Sequence, residues 1–292
     1  MITSDCGQRR DCLRPARSAR SASTLTAGAG WRWAATLSLA ACVIPLRTMI
    51  GIAADDYRGR FEARTYEAAD GTKLLYRLLQ PKDYDPQTKY PLVLFLHGAG
   101  ERGDDNVRQL VHGMNDFASD ALRAKYPCFV VAPQCPKEQK WVDVNWSAST
   151  HDMPAQAAGP LRLAMEAIAS LEKEFSIDPD RIYVTGLSMG GYGTWDAVAR
   201  YPGRFAAAVP ICGGGDPAQA GKIAPIPLWV FHGGKDGVVK PERSRQMVEA
   251  VKQAGGNPKY TEYPNAGHDS WSATYKDPEF YAWLFAQRRS VK

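Results

Sequence analysis

Beyond its first fifty-odd residues this 292-residue chain lacks a basic cluster, a long apolar run and an even set of cysteines. Each absence excludes something. The apolar stretch Trp33 to Ile44 is too short, and too closely flanked by Arg32 and Arg47, for a good membrane span. Seven arginines before residue 55 face only Asp5 and Asp11, so the net charge of +5 belongs to the N-terminus and the remainder is close to neutral. A nucleic-acid partner would need a basic stripe on the domain itself, and none is expected. Of six cysteines, Cys128, Cys135 and Cys212 lie beyond residue 54. Cys128 and Cys135 bracket Phe129–Ala132, whose extended backbone would hold them too far apart to bridge. Buried or semi-buried free thiols are therefore expected. No spacing of Cys and His resembles a zinc site, and neither metal nor cofactor is implied. Internal repeats and Pro/Gly/Ser linkers are also missing.

What is present divides the chain at residue 54. Residues 1–54 read as a leader: arginines precede the apolar stretch, and the small residues of 51–54 suit a signal peptidase. Export, to a periplasm or the exterior, follows. Leu39-Ala-Ala-Cys42 resembles a lipobox, so a lipid anchor at Cys42 is an alternative and the one foreseen membrane contact. Arg9-Arg10 hints at a twin-arginine signal but lies far from the apolar run. Translation from Met49 would instead leave a cytoplasmic protein. Residues 55–292 read as a single domain.

Within that domain Phe61–Tyr66 and Leu74–Leu79 read as two strands around Ala69-Asp70-Gly71. Tyr90–Leu96, Phe129–Ala132, Ile182–Thr185, Ala206–Ile211 and Pro227–Phe231 are apolar runs without polar alternation, which suits strands covered on both faces. Helical stretches alternate with them: Asn106–Lys125 in part, Gly159–Phe175, Gly193–Arg200, Lys240–Ala254 and Asp277–Arg289. The pattern predicts a mostly parallel sheet wrapped by helices on both faces, with an antiparallel hairpin at its N-terminal edge. Pro133 to about Pro154 is one long irregular segment carrying Trp141 and Trp146. It is either a functional loop or a surface loop whose tryptophans pack on the body.

The segment Gly186-Leu-Ser188-Met-Gly190, between a β-branched strand and a helix, has the form of a nucleophile elbow, a sharp turn that lifts a serine hydroxyl above the sheet. Side chains at Gly186 or Gly190 would collide with the neighbouring strand and helix. The partners should follow in the order Ser, acid, His. His97, His112 and His151 precede the serine, and His232 sits with Gly233 at a strand end in a structural position. His268 remains as general base. Asp236, in the loop after the penultimate strand, is the candidate acid, with Asp216 second; Asp269 is too close in sequence to His268. Oxyanion donors are expected from the N–H of Met189 and from the Gly98–Gly100 loop at Ala99. Glu101 and Arg102 extend that loop, either as a local ion pair or with Arg102 facing a substrate carboxylate. With histidine as base, activity should fall on the acid side of neutrality.

His97-Gly-Ala-Gly-Glu-Arg-Gly103, Ala132-Pro-Gln-Cys-Pro136, Ile177 to Trp195 and Gly267-His-Asp-Ser-Trp271 together resemble the "predicted peptidase" esterases, relatives of the dienelactone hydrolases and prolyl oligopeptidases. The resemblance runs from about Phe61 to the C-terminus. It implies an α/β-hydrolase fold and the triad Ser188, Asp236 and His268. Dienelactone hydrolases proper use Cys where this chain has Ser188, which argues against that particular activity. Only Gly213 to about Ile226 separates the strand after the elbow helix from the next, leaving no room for a cap domain. An open site walled by Trp141, Trp146, Tyr192 and Trp271 would take bulky esters, either small molecules or groups attached to polysaccharide. Two other readings stand beside ester hydrolysis: a serine peptidase of prolyl-oligopeptidase type, and a non-catalytic binding module on a hydrolase scaffold.

Overall fold

The computed structural model describes residues 56–289; the leader expected over residues 1–54, with Cys42 and Met49, lies outside the described residues. The described chain alternates strand and helix as the apolar runs require. Its strands are β1 Phe61–Glu67, β2 Lys73–Leu79, β3 Tyr90–Leu96, β4 Phe129–Pro133, β5 Ile177–Leu187, β6 Ala207–Ile211, β7 Trp229–Gly233 and β8 Lys259–Tyr263. They form one sheet in the order β1-β2-β4-β3-β5-β6-β7-β8. β2 is antiparallel to β1 and to β4, and the remaining pairs are parallel. The mostly parallel sheet with an antiparallel N-terminal hairpin is therefore present.

The helices are α1 Met114–Phe117, α2 Asp120–Lys125, α3 Gly159–Glu174, α4 Met189–Arg200, α5 Ala220–Ile223, α6 Glu242–Gln253, α7 Trp271–Lys276 and α8 Pro278–Ala286. Side chains of β3 alternate between two cores. Leu92, Leu94 and Leu96 pack with α3, α4 and α6, while Val93 and Phe95 pack with α1, α7 and α8. All five are fully buried, each contributing about 1.5–3 kcal/mol relative to exposure. A strand buried on both faces cannot alternate polar and apolar, which is why these runs read clearly in the sequence.

Boundaries differ where local chemistry overrides the apolar pattern. β5 begins at Ile177, five residues earlier than its apolar core, because Ile177 pairs with Tyr90 across a register shift. The stretch Asn106–Lys125 breaks into two short helices, since Ser119 caps α2 by accepting the Leu122 N–H at 3.3 Å. The apolar pattern alone bounds neither β8 nor α7. Residues 212–228, between β6 and β7, hold only a 3-10 turn and the four-residue α5, so no cap domain is inserted there. Among the described residues no helix is long and apolar enough to cross a membrane.

Candidate active site

The C-terminal ends of β3, β5 and β7 and the loop after β8 converge at one end of the strands, where β3 leads to β4 on one side and the adjacent β5 leads to β6 on the other. Open parallel sheets place ligands in that position. Ser188 sits between β5 and α4 with φ +54° and ψ −116°, a conformation that costs a non-glycine residue on the order of 1–3 kcal/mol. The surroundings hold it there. The Ser188 N–H donates to Ile211 O at 2.9 Å. A Cβ on Gly190 would lie 1.8 Å from Leu96 O, and one on Gly186 would lie 2.5 Å from Gly190 O. Both glycines are required by close backbone approach.

The loops after β7 and β8 bring the other two side chains to the serine. They are tied together by Gly234 N–H to Tyr263 O at 2.8 Å and Lys235 N–H to Ala266 O at 2.9 Å. Their contact is tight enough that a Cβ on Gly233 would meet Gly267 O at 2.0 Å. His268 Nε2 lies 2.9 Å from Ser188 Oγ, and His268 Nδ1 lies 2.7 Å from Asp236 Oδ2. A carboxylate only accepts, so Nδ1 carries the proton and Nε2 presents its lone pair to the serine. Asp236 Oδ1 accepts the N–H groups of Val238 at 2.8 Å and Val239 at 3.0 Å. Burial alone would raise the Asp236 pKa. Contacts from His232 and His268 and the Val238 N–H outweigh it and hold the carboxyl well below its ordinary range.

Asp216, the second candidate acid, is engaged elsewhere: it accepts the Met153 N–H at 3.0 Å and the Ala218 N–H at 2.9 Å. Asp269 is turned to the start of α7, where it accepts the Ser272 N–H at 3.0 Å and the Ser272 hydroxyl at 2.9 Å. Cys128, Cys135 and Cys212 are buried free thiols, and burial pushes Cys128 and Cys135 up to about 12. Cys212, Asp236 and His268 present ligand atoms within 4.8 Å of one another. Burial keeps that thiol protonated, and the carboxylate is already engaged with the imidazole. The set suits hydrogen bonding better than a metal ion.

A pocket of about 320 Å³ opens over Ser188 and His268. Ala99 and Met189 line it. The first N–H groups of a helix have no acceptor within that helix, which leaves those of Met189 and its neighbours free for a ligand. Trp146, Tyr192 and Trp271 form walls, joined by His112, whose ring lies 5.3 Å from that of Trp271. Trp141 does not: it is fully buried, and its Nε1–H donates to His97 O at 3.0 Å. It supports the loop after β3 from behind, which corrects its assignment as a substrate wall. Glu101 and Arg102 do not pair either. Glu101 Oε1 lies 3.5 Å from His112 Nε2, and Arg102 Nε donates to Ala99 O at 2.9 Å. Burial would raise the Glu101 pKa, but hydrogen bonding by His112 brings it below its ordinary value. Nothing local in the sequence marks His112 for this place, since the ring it meets, Trp271, lies far along the chain.

Residues 146–279 match the dienelactone hydrolase family model. A probable carboxylesterase of Oryza sativa subsp. japonica is 27% identical over 195 residues, covering 60% of this chain and 70% of that protein. A bifunctional acetylxylan esterase/xylanase of Neocallimastix patriciarum is 25% identical over 206 residues, covering 68% of this chain and 27% of that one. The crystal structure of a thermostable esterase is similar with a TM-score of 0.73 and 44% identity, covering 80% of this chain. The chain spans 64% of that esterase's length, less than two thirds. With the sheet order and these likenesses taken together, the described chain has an α/β-hydrolase fold, and its residues 146–279 are similar to the dienelactone hydrolase family.

Proposed function

We propose that this protein is a serine ester hydrolase working through an acyl-enzyme, with residues 55–292 as its catalytic domain. The observation that carries the reading is the unbroken contact from Asp236 Oδ2 through His268 to Ser188 Oγ, at 2.7 and 2.9 Å, on the floor of an open pocket. His268 Nε2 takes the serine proton as Oγ attacks the ester carbonyl. Asp236 keeps the imidazole in the receptive tautomer and stabilises the cation that forms. Negative charge on the former carbonyl oxygen falls to the N–H groups of Met189 and Ala99. His268 then protonates the leaving alcohol, and water, deprotonated by the same imidazole, releases the acid.

Three aromatic walls and the absence of a cap between β6 and β7 support bulky esters, including esters borne by polysaccharides. The names of the carboxylesterase and acetylxylan esterase relatives favour ester over peptide substrates. Relatives described as a secreted protein and a xylan esterase favour export. A fluorophosphonate probe should label the protein at Ser188, and Ser188→Ala should lose both labelling and hydrolysis of a p-nitrophenyl ester. Matched esters and peptide amides should separate in favour of the esters. Labelling elsewhere, or an active Ser188→Ala variant, overturns the assignment.

A further inference from the structure

We infer that His232 is a positioning residue that fixes the carboxylate of Asp236, an inference resting on the triad proposed above. The two side chains are fully buried and 3.2 Å apart, from His232 Nε2 to Asp236 Oδ2. That is the same carboxylate oxygen that faces His268. His232 Nε2 also lies 2.9 Å from Val239 O. Both neighbours of Nε2 only accept, so the proton resides on Nε2 and is shared between a carbonyl and the carboxylate. On the other side of the ring, Nδ1 lies 2.7 Å from Ser244 Oγ, on α6.

The imidazole therefore grips the acid by two routes. It holds Val239 O, whose residue returns its N–H to Asp236 Oδ1 at 3.0 Å. It also approaches Oδ2 directly. The carboxylate plane is thereby set from both oxygens, and Ser244 anchors the ring to a helix outside the loop. A histidine that merely closed the strand end would need Val239 O alone and would leave Oδ2 to His268. Glu262, on β8, is a second acidic group near His232, and it is committed to Arg245 and Tyr260, at 2.6 Å each. Asp236 is thus the carboxylate His232 serves.

The test compares His232→Gln, whose amide reaches the Nε2 position, with His232→Asn, whose amide is too short to reach Asp236. Both are assayed on p-nitrophenyl acetate. Misplacing a catalytic group by a fraction of an ångström to one ångström costs up to about 100-fold. His232→Asn should lose about 10–100-fold in kcat with KM changed less than about twofold, and His232→Gln should recover most of that loss. Equal kcat in the two variants overturns the inference, as does a loss confined to KM. Should His232→Asn not fold, ¹⁵N-histidine NMR of the wild-type protein decides: a proton on His232 Nε2 supports the inference and one on Nδ1 alone overturns it. Wild-type protein that no fluorophosphonate labels would overturn the proposed function instead, and the NMR result would still stand.

Discussion

His97 and His232 end two parallel strands with the same His-Gly dipeptide, yet their rings do different work. His97 Nε2 accepts the Cys135 N–H at 2.9 Å, so its proton lies on Nδ1, 2.6 Å from Gly98 O. The ring is buried, and burial lowers its pKa from 6.5 to about 4. It is locked neutral, as a brace beneath the loop that carries Ala99. An unfolded chain takes up that proton near pH 6.5, and the folded chain only near pH 4. The unfolded state therefore binds more protons between those values, and stability falls as pH drops through them. The loss from this one group is on the order of 2 kcal/mol by pH 4.5. Asp236 adds to it in the same direction. Its depressed pKa contributes stability above the ordinary carboxylate range that is lost as pH falls toward its folded value. Urea unfolding at pH 7 and pH 4.5 should show His97→Gln losing on the order of 2 kcal/mol less than wild type between the two. Equal pH dependence in both proteins would refute the assignment of a neutral, buried His97.

At the scale of elements, the 3-10 turn Ala99–Glu101 faces the N-terminus of α4 across Ser188. Gly98 caps that turn in extended conformation, with ψ −179°, which a following proline tolerates. Ala99 is the first residue of the turn, where proline's fixed φ fits and its missing N–H breaks no bond within the turn. Ala99→Pro should therefore delete one oxyanion donor and leave the fold intact. A loss of about 100–1,000-fold in kcat is expected, with the thermal midpoint nearly unchanged. Retained kcat would remove Ala99 from the oxyanion site. The elements and the chain order of Ser188, Asp236 and His268 were legible in the sequence because apolar runs and punctuating glycines are local signals. Contacts made by distant segments were not. Trp141 in an irregular loop reads alike whether buried or exposed. Glu101 finds His112 rather than its neighbour Arg102 only because the fold brings them together. β8 has a charged residue at its start and sits at the sheet edge, so it lacks the continuous apolar run that marks β3.

Over the whole molecule, the long segment after β4 becomes part of the site because the opposite half of the fold holds it. Arg243, on α6 and 2% exposed, reaches Ser149 O at 2.7 Å, His151 Nδ1 at 2.6 Å and Gly215 O at 3.2 Å. Tyr192 Oη donates to Trp146 O at 3.3 Å, and Asp216 accepts the Met153 N–H. Trp146 thus owes its place in the pocket to ties made at its own carbonyl and by the residues that follow it. His151 accepts from Arg243 and must be unprotonated at Nδ1 to do so; burial and the Arg243 charge both lower its pKa. Truncating the arginine leaves the buried Gly215 carbonyl without its donor, at a cost of about 1–3 kcal/mol, and frees the Ser149 carbonyl. The loop should loosen before the core does, because the core is built from the two apolar faces of the sheet. Trp146→Ala should raise KM for a naphthyl ester several-fold, by about the 0.5–1.5 kcal/mol of one aromatic contact, and leave acetate esters unchanged. Arg243→Gln should produce the same selective rise in KM although Arg243 does not line the pocket. If Arg243→Gln instead lowered kcat equally for both esters, the arginine would be acting on the triad and not on the wall.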